Sequence, residues 1–276
     1  MKDQIIKFLA YNGKISVVCC STTNLVEEAR KLHDLSPLST AAMGRVLTIT
    51  ALIGSEMKNK TDKLTIQIKG NGPIGKIVAV SDNIPNVKAC ITNPHADLPL
   101  NEFGKLDVGG AVGNQGFINV IKDIGLKEPY IGISPLTSGE IAEDFANYFE
   151  TSEQKQTAVA LGVLVDKNGV RASGGYLISP MPDATDEEVI EAAKAAHADA
   201  IHPGYGFLSE NATFARRCQE EGIIFIGPNP ETMEAMGDKI AARIKMIEAG
   251  VPVVPGTQDN LKSVEEAIEL CNKIGY

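Results

Sequence analysis

The chain has 276 residues, 43% of them hydrophobic and 22% charged, with a formal net charge of −9. That is enough apolar material to bury a core, too much for a disordered chain, and a length suited to two ordinary domains. No block of Lys and Arg interrupts the acidity, so a nucleic-acid partner is not expected.

The opening MKDQIIKFLAYNGK places Lys7 inside what would be the apolar core of a signal peptide. The stretch Ala41–Gly54 contains Arg45 and reads as too short to span a bilayer. A soluble cytoplasmic protein with no membrane partner is the expectation. KISVVCCS reads as a strand. Thr22 or Thr23 is placed to cap the helix LVEEARKLHDL, which Pro37 ends. Ser39 to Met57 reads as a helix, with Met43, Val46, Leu47, Thr50 and Ile53 on one core-facing stripe.

Gly70, Gly72 and Gly75 in KLTIQIKGNGPIGKIVAVSD form a G-x-G-x-x-G. A nucleotide fingerprint needs the last glycine to open a helix. Here alternating segments lie on both sides, so the reading is strand, turn, strand. A second glycine turn, Gly113 to Gly116, lies between two apolar runs, and EPYIGISPL supplies another strand. Thr137 and Glu140 fit a capping box for IAEDFANYFE, whose Ile141, Phe145, Tyr148 and Phe149 share one face that reads as core. AVALGVLV and VRASGGYLISP flank Asp166 to Gly169 as a hairpin.

The five cysteines, Cys19, Cys20, Cys90, Cys218 and Cys271, include no C-x-x-C pair, and the four histidines have no ligand spacing. Cys19 and Cys20 read as buried core thiols. No carboxylate pair, nucleophile–base pair or phosphate loop stands out, so neither catalytic nor metal residues are assigned.

In order, LTIQIKGNGPIG, VGNQGFINVIKD, YFETSEQKQTAVALGV and ASGGYLISPMPDA resemble the N-terminal domain of the heat-shock protein 33 family, a redox-regulated bacterial holdase chaperone. The resemblance covers residues 1–187. It implies an ATP-independent binder of unfolded or aggregating client proteins. It also implies a C-terminal module with four cysteines, in a C-x-C and a C-x-x-C, that hold zinc and switch the chaperone on oxidation. After PMPDAT the sequence leaves that pattern, and Cys218 and Cys271 cannot replace the four ligands. A homo-oligomer stays open.

From Ala198 the period changes. ADAIHPG and IIFIGP read as short strands, with Ser209 or Asn211 capping TFARRCQEE, Gly222 ending it and Pro230 opening the next helix. DKIAARIKMIEA reads as a helix, VPVVPG as a third strand, and Ser263 with Glu266 as the capping box of a last helix. This alternation suggests a parallel α/β sheet. AIHPGYGFLSEN, IIFIGPNPETMEAMGDK, AGVPVVPGT and ELCNKIGY resemble biotin carboxylase over residues 189–276. By that resemblance the lysine of MGDK, Lys239, contacts ATP; His202 keeps a structural reading as a turn residue. The family's opening strand and helix do not precede this stretch, and its ATP-grasp domain would follow Tyr276. One lysine does not neutralise a transferring phosphoryl group, so ATP binding is expected to be weak at best.

The expected architecture is therefore an α+β domain, largely antiparallel sheet with helices, over residues 1–187. A partial Rossmann-like, pre-ATP-grasp α/β parallel-sheet segment follows over 188–276. The join lies between about Asp186 and Ala198, where Thr185 and Glu188 form a capping box. No resident cofactor is expected. Metal analysis of the purified chain should find no stoichiometric zinc; one tightly held zinc per chain would overturn that.

Overall fold

The computed structural model describes residues 2–181, 184–195, 198–201, 203, 209–237, 239–253, 263–264, 268–269 and 271–272. The chain divides into two compact units, Met1–Val189 and Ile190–Tyr276.

The first unit is built from two antiparallel sheets. Strands β1 (Gln4–Ala10) and β2 (Ile15–Ser21) form a hairpin. Helices α1 (Thr23–His33) and α2 (Pro37–Ser55) follow. Next come β3 (Lys63–Lys69), β4 (Lys76–Asp82), β5 (Lys88–Ile91), α3 (Val108–Val112), β6 (Phe117–Asp123), β7 (Tyr130–Pro135) and α4 (Ala142–Glu153). The long hairpin β8 (Ala158–Asp166) and β9 (Gly169–Pro180) completes the unit. One sheet has the order β1-β2-β9-β8, the other β5-β4-β3-β6-β7.

Helix α2 packs against strands of both sheets, and every residue in it except Pro37 and Arg45 is buried. By length and composition this helix is sufficient to cross a membrane, contrary to the sequence expectation. Its place inside the core accounts for its apolarity instead. Its polar side chains bond to its own backbone: Thr48 Oγ1 donates to the Gly44 carbonyl at 2.8 Å and Thr50 Oγ1 to the Val46 carbonyl at 2.6 Å. A buried hydroxyl without such a partner would be costly.

The G-x-G-x-x-G stretch is the β3–β4 turn, as its flanking alternation predicts. The structure supplies the reason for its glycines. The Gly72 N–H donates to the Val112 carbonyl at 2.9 Å. A Cβ on Gly70 would lie 2.1 Å from that carbonyl oxygen, and one on Gly72 would lie 2.3 Å from the oxygen of Ala111. The turn thus admits the backbone of α3, and the first apolar run before Gly113, VGGAV, is that helix rather than a strand.

Two capping assignments differ from expectation. Thr22 occupies the N-cap position of α1, but its hydroxyl bonds to Thr48 at 2.8 Å and Ser173 at 2.9 Å. The Asp3 carboxylate accepts instead from the backbone N–H of Asn24 and Leu25, at 3.0 and 2.8 Å. At α4 the cap is Asp144, not Thr137 with Glu140. Its buried carboxylate accepts from the backbone N–H of Thr137, Ser138, Gly139 and Ile141 and from the Thr137 hydroxyl. Ile141 is held at φ 68°, an unfavourable angle for a β-branched residue, by that carboxylate and by its own burial. Glu140 turns away to Arg45, whose guanidinium also donates to the Glu140 carbonyl at 2.9 Å. Phe145, Tyr148 and Phe149 lie in the core as their spacing predicts.

In the chain after residue 185, Thr185 and Glu188 form the expected capping box of α5 (Asp186–Ala195): the Thr185 N–H donates to Glu188 at 2.8 Å and the Glu188 N–H to Thr185 at 3.3 Å. Asn211 caps α6 (Ala212–Glu220), accepting from the Phe214 N–H at 2.9 Å, and Gly222 ends that helix at φ 73°. Pro230 opens α7 (Pro230–Gly237), and α8 runs from Lys239 to Glu248. The two-residue strands β10 (Ala200–Ile201) and β11 (Ile224–Phe225) pair in parallel. Val251–Val253 is not a strand, and Pro255, Gly256 and Glu266 lie outside the described residues.

Replacing Asp144 with Ala strands several buried N–H groups and should lower the unfolding free energy by about 3 kcal/mol. Asn at that position should cost less, because it keeps one acceptor oxygen. Urea unfolding measures both, and equal stability of the Ala variant and the parent would refute the capping role.

Candidate functional site

Strand β1 carries the feature the sequence reading missed. In sequence QIIKFLA reads only against a signal peptide, yet it forms an edge strand. Its turn runs through Tyr11, Asn12 and Gly13 at φ 48°, 53° and 90°. Asn and Gly suit that left-handed run; Tyr does so at some cost. Asp3, through its bonds at the start of α1, anchors the strand's beginning.

Lys7 is the charged residue within β1; it is exposed overall, but its head reaches across to α2. Its ammonium donates to the Ser55 carbonyl at the C-terminal end of α2, where the helix dipole favours a cation. On the opposite, outward side two neighbouring rows carry no charge. Phe8, Val17, Ile178 and Ala158 lie side by side across β1, β2, β9 and β8, and Ile6, Cys19, Tyr176 and Ala160 form the next row. Ile6 is 48%, Phe8 49% and Tyr176 42% exposed. Exposed apolar side chains gathered in uncharged neighbouring rows of a sheet are a mark of an interaction site. At its margin β1 offers a free edge, whose unpaired backbone groups suit strand pairing.

The two adjacent cysteines sit on opposite sides of β2. Both are half-buried rather than fully buried as their apolar run suggests. Cys20 packs against the core between the sheets. Burial pushes its thiol up to about 12, and a backbone hydrogen bond at Gly175 offsets only part of this. It is a thiol, not a thiolate, at ordinary pH, and therefore a poor redox sensor. Cys19 lies in the outward face, its Sγ 3.7 Å from the Ile6 carbonyl oxygen.

Lys239 is the first residue of α8; its side chain, Asp238 of the same motif, and His202 lie outside the described residues. Among the described residues no group of three His, Cys, Asp or Glu side chains gathers where a metal could sit. The outward face of the four-stranded sheet holds no nucleophile with a paired base. Its chemistry is that of an apolar interaction surface.

Comparison with known proteins agrees with that class. Residues 3–230 match the family described as Hsp33 protein. The 33 kDa chaperonin of Ruminiclostridium cellulolyticum is 50% identical over 189 residues, which is 68% of this chain and 64% of that relative, just under two thirds of its length. The 33 kDa chaperonin of Clostridium beijerinckii is 39% identical over 280 residues, covering 99% of this chain and 94% of the relative. The crystal structure of the Thermotoga maritima 33 kDa chaperonin superposes with a TM-score of 0.66 at 32% identity, covering 98% of this chain and 97% of that one. The chain belongs to the Hsp33 family, and its α+β fold with antiparallel sheets is the fold of that family. A shorter match, covering 33% of this chain, is 52% identical to the biotin carboxylase domain of Hydrogenobacter thermophilus 2-oxoglutarate carboxylase. It covers 20% of that chain with a TM-score of 0.32.

Proposed function

We propose that this chain is a holdase-type chaperone of the cytoplasm that captures unfolding polypeptides without ATP on the outward face of the four-stranded sheet. The observation that carries this is the exposed, uncharged apolar surface around Ile6, Phe8 and Tyr176. An unfolding client presents apolar segments to water, and covering them against such a face gains about 25 cal/mol for each Å² buried. Without charges these rows place little demand on client sequence, which suits a general holdase.

Holding is constitutive in this reading. The cysteines of the 276 residues form neither the C-x-C nor the C-x-x-C of the family's zinc module, and Cys20 is kept protonated by burial. Phe8→Asp should raise the amount of chaperone needed to suppress aggregation of a thermally unfolding client by about tenfold, the worth of one buried aromatic side chain. Protection by the parent should be the same in reductant and after peroxide. An unaffected Phe8→Asp variant overturns the assigned face, whereas activation only on oxidation overturns the constitutive reading.

A second reading concerns residues 188–276. We take them as a partial Rossmann-like, pre-ATP-grasp segment of biotin carboxylase joined to the chaperone domain. Its support is the strings HPGYGFLSEN and MGDK, with parallel pairing of β10 and β11. Lys239 then gives at most weak ATP contact, since one lysine does not stabilise phosphoryl transfer. Biotin-dependent phosphate release should stay at background, and release above it would show a working carboxylase.

A further inference from the structure

The outward face of the five-stranded sheet has a different character. Its rows run Lys88, Val80, Thr65, Ile121, Ile131, then Cys90, Val78, Gln67, Asn119, Ile133, then Lys76, Lys69, Phe117, Pro135. The alternate residues of the same strands, among them Ile66, Ile118 and Val120, fill the core, so the period-2 pattern is correctly phased. Even so, Phe117, Ile131 and Ile133 are 56%, 55% and 57% exposed on neighbouring strands β6 and β7. Polar side chains would be expected on a merely solvated face.

The charges on these three rows are all positive. Lys69 and Lys76 continue the row of Phe117, and Lys88 sits opposite Val80. The carboxylates of this face, Asp82 and Asp123, lie at its far end on either side of Lys63, and Asp82 is bonded to Asn86. A lysine-edged apolar face on a chain of net charge −9 is a local reversal of sign. Such a reversal selects partners by charge complementarity.

We propose that this face is a second docking surface, whose occupant is an acidic amphipathic polypeptide segment. Aliphatic side chains of the segment cover Phe117, Ile131 and Ile133, and its carboxylates meet Lys69, Lys76 and Lys88. The inference is independent of the holdase reading, which concerns the opposite sheet.

The test uses the full chain and two fluorescent synthetic peptides of equal length, one alternating Leu with Glu and the other Leu with Lys, followed by anisotropy. The overall negative charge alone would favour the lysine peptide. The proposal expects the reverse, with the glutamate peptide binding about tenfold tighter and the preference weakening in high salt, as expected of several exposed ion pairs. Lys69→Glu with Lys76→Glu, both near the sheet's solvent side, should invert the preference while circular dichroism stays unchanged. Ile131→Ser with Ile133→Ser should weaken binding of both peptides, and Phe8→Asp should leave it unaltered. Equal binding of the two peptides overturns the proposal. So does a preference untouched by charge reversal, loss of binding through Phe8→Asp, or concentration-dependent self-association abolished by the Ile131 and Ile133 changes, which would assign the face to a second copy.

Discussion

The fold rests on burying a single helix, α2, on all sides. Two antiparallel sheets close over it, and its polar residues other than Arg45 are buried. Thr40, Thr48 and Thr50 therefore bond back to carbonyls one turn earlier, and Thr22, Thr48 and Ser173 share their hydroxyls where α1, α2 and β9 meet. Arg45 is the helix's one charged residue. Its Nη1 donates to Glu140, whose carboxylate also accepts from the Gly109 N–H at 3.1 Å, while its buried Nε has no protein partner among the described residues. One ion pair thus ties the central helix to α3 and to the approach of α4.

This arrangement has a consequence for function. A helix between two sheets covers the inner face of each and leaves both outer faces to the solvent. In many proteins those faces are polar. Here each retains large exposed apolar side chains, a mark of an interaction surface. The faces differ in charge. The Lys7 ammonium reaches across to the end of α2 and leaves two rows of the first face uncharged, whereas Lys69, Lys76 and Lys88 stay outward on the second. Uncharged rows accept apolar segments of any sequence, and a lysine-edged face adds selection by charge.

Much of the local structure was legible in the sequence because its causes are local. The turns at Gly70 to Gly75 and at Asp166 to Gly169, the stripe of Phe145, Tyr148 and Phe149, and the box of Thr185 with Glu188 all depend on residues a few positions apart. Where the reading failed, a distant partner had intervened. Thr137 with Glu140 fits the capping-box template, whereas Ile141 with Asp144 does not, because isoleucine has no side-chain acceptor. Glu140 is drawn to Arg45, 95 residues away in sequence, and Asp144 is left to collect the amides. Asp3 caps α1 from just before β1, beyond the reach of any local spacing rule.

The candidate site shows the same division. By itself the sequence determined that IIKFLA and YIGISP are apolar, that the cysteines are scattered, and that the early chain is built of hairpins. It could not say which side of each strand would be bare. QIIKFLA is apolar in both phases of its alternation, so period alone does not choose the side on which Lys7 or Phe8 lies. The tertiary structure made that choice: the end of α2 supplies a carbonyl that the Lys7 ammonium reaches, and the pleat then places Ile6 and Phe8 on the opposite side of the strand.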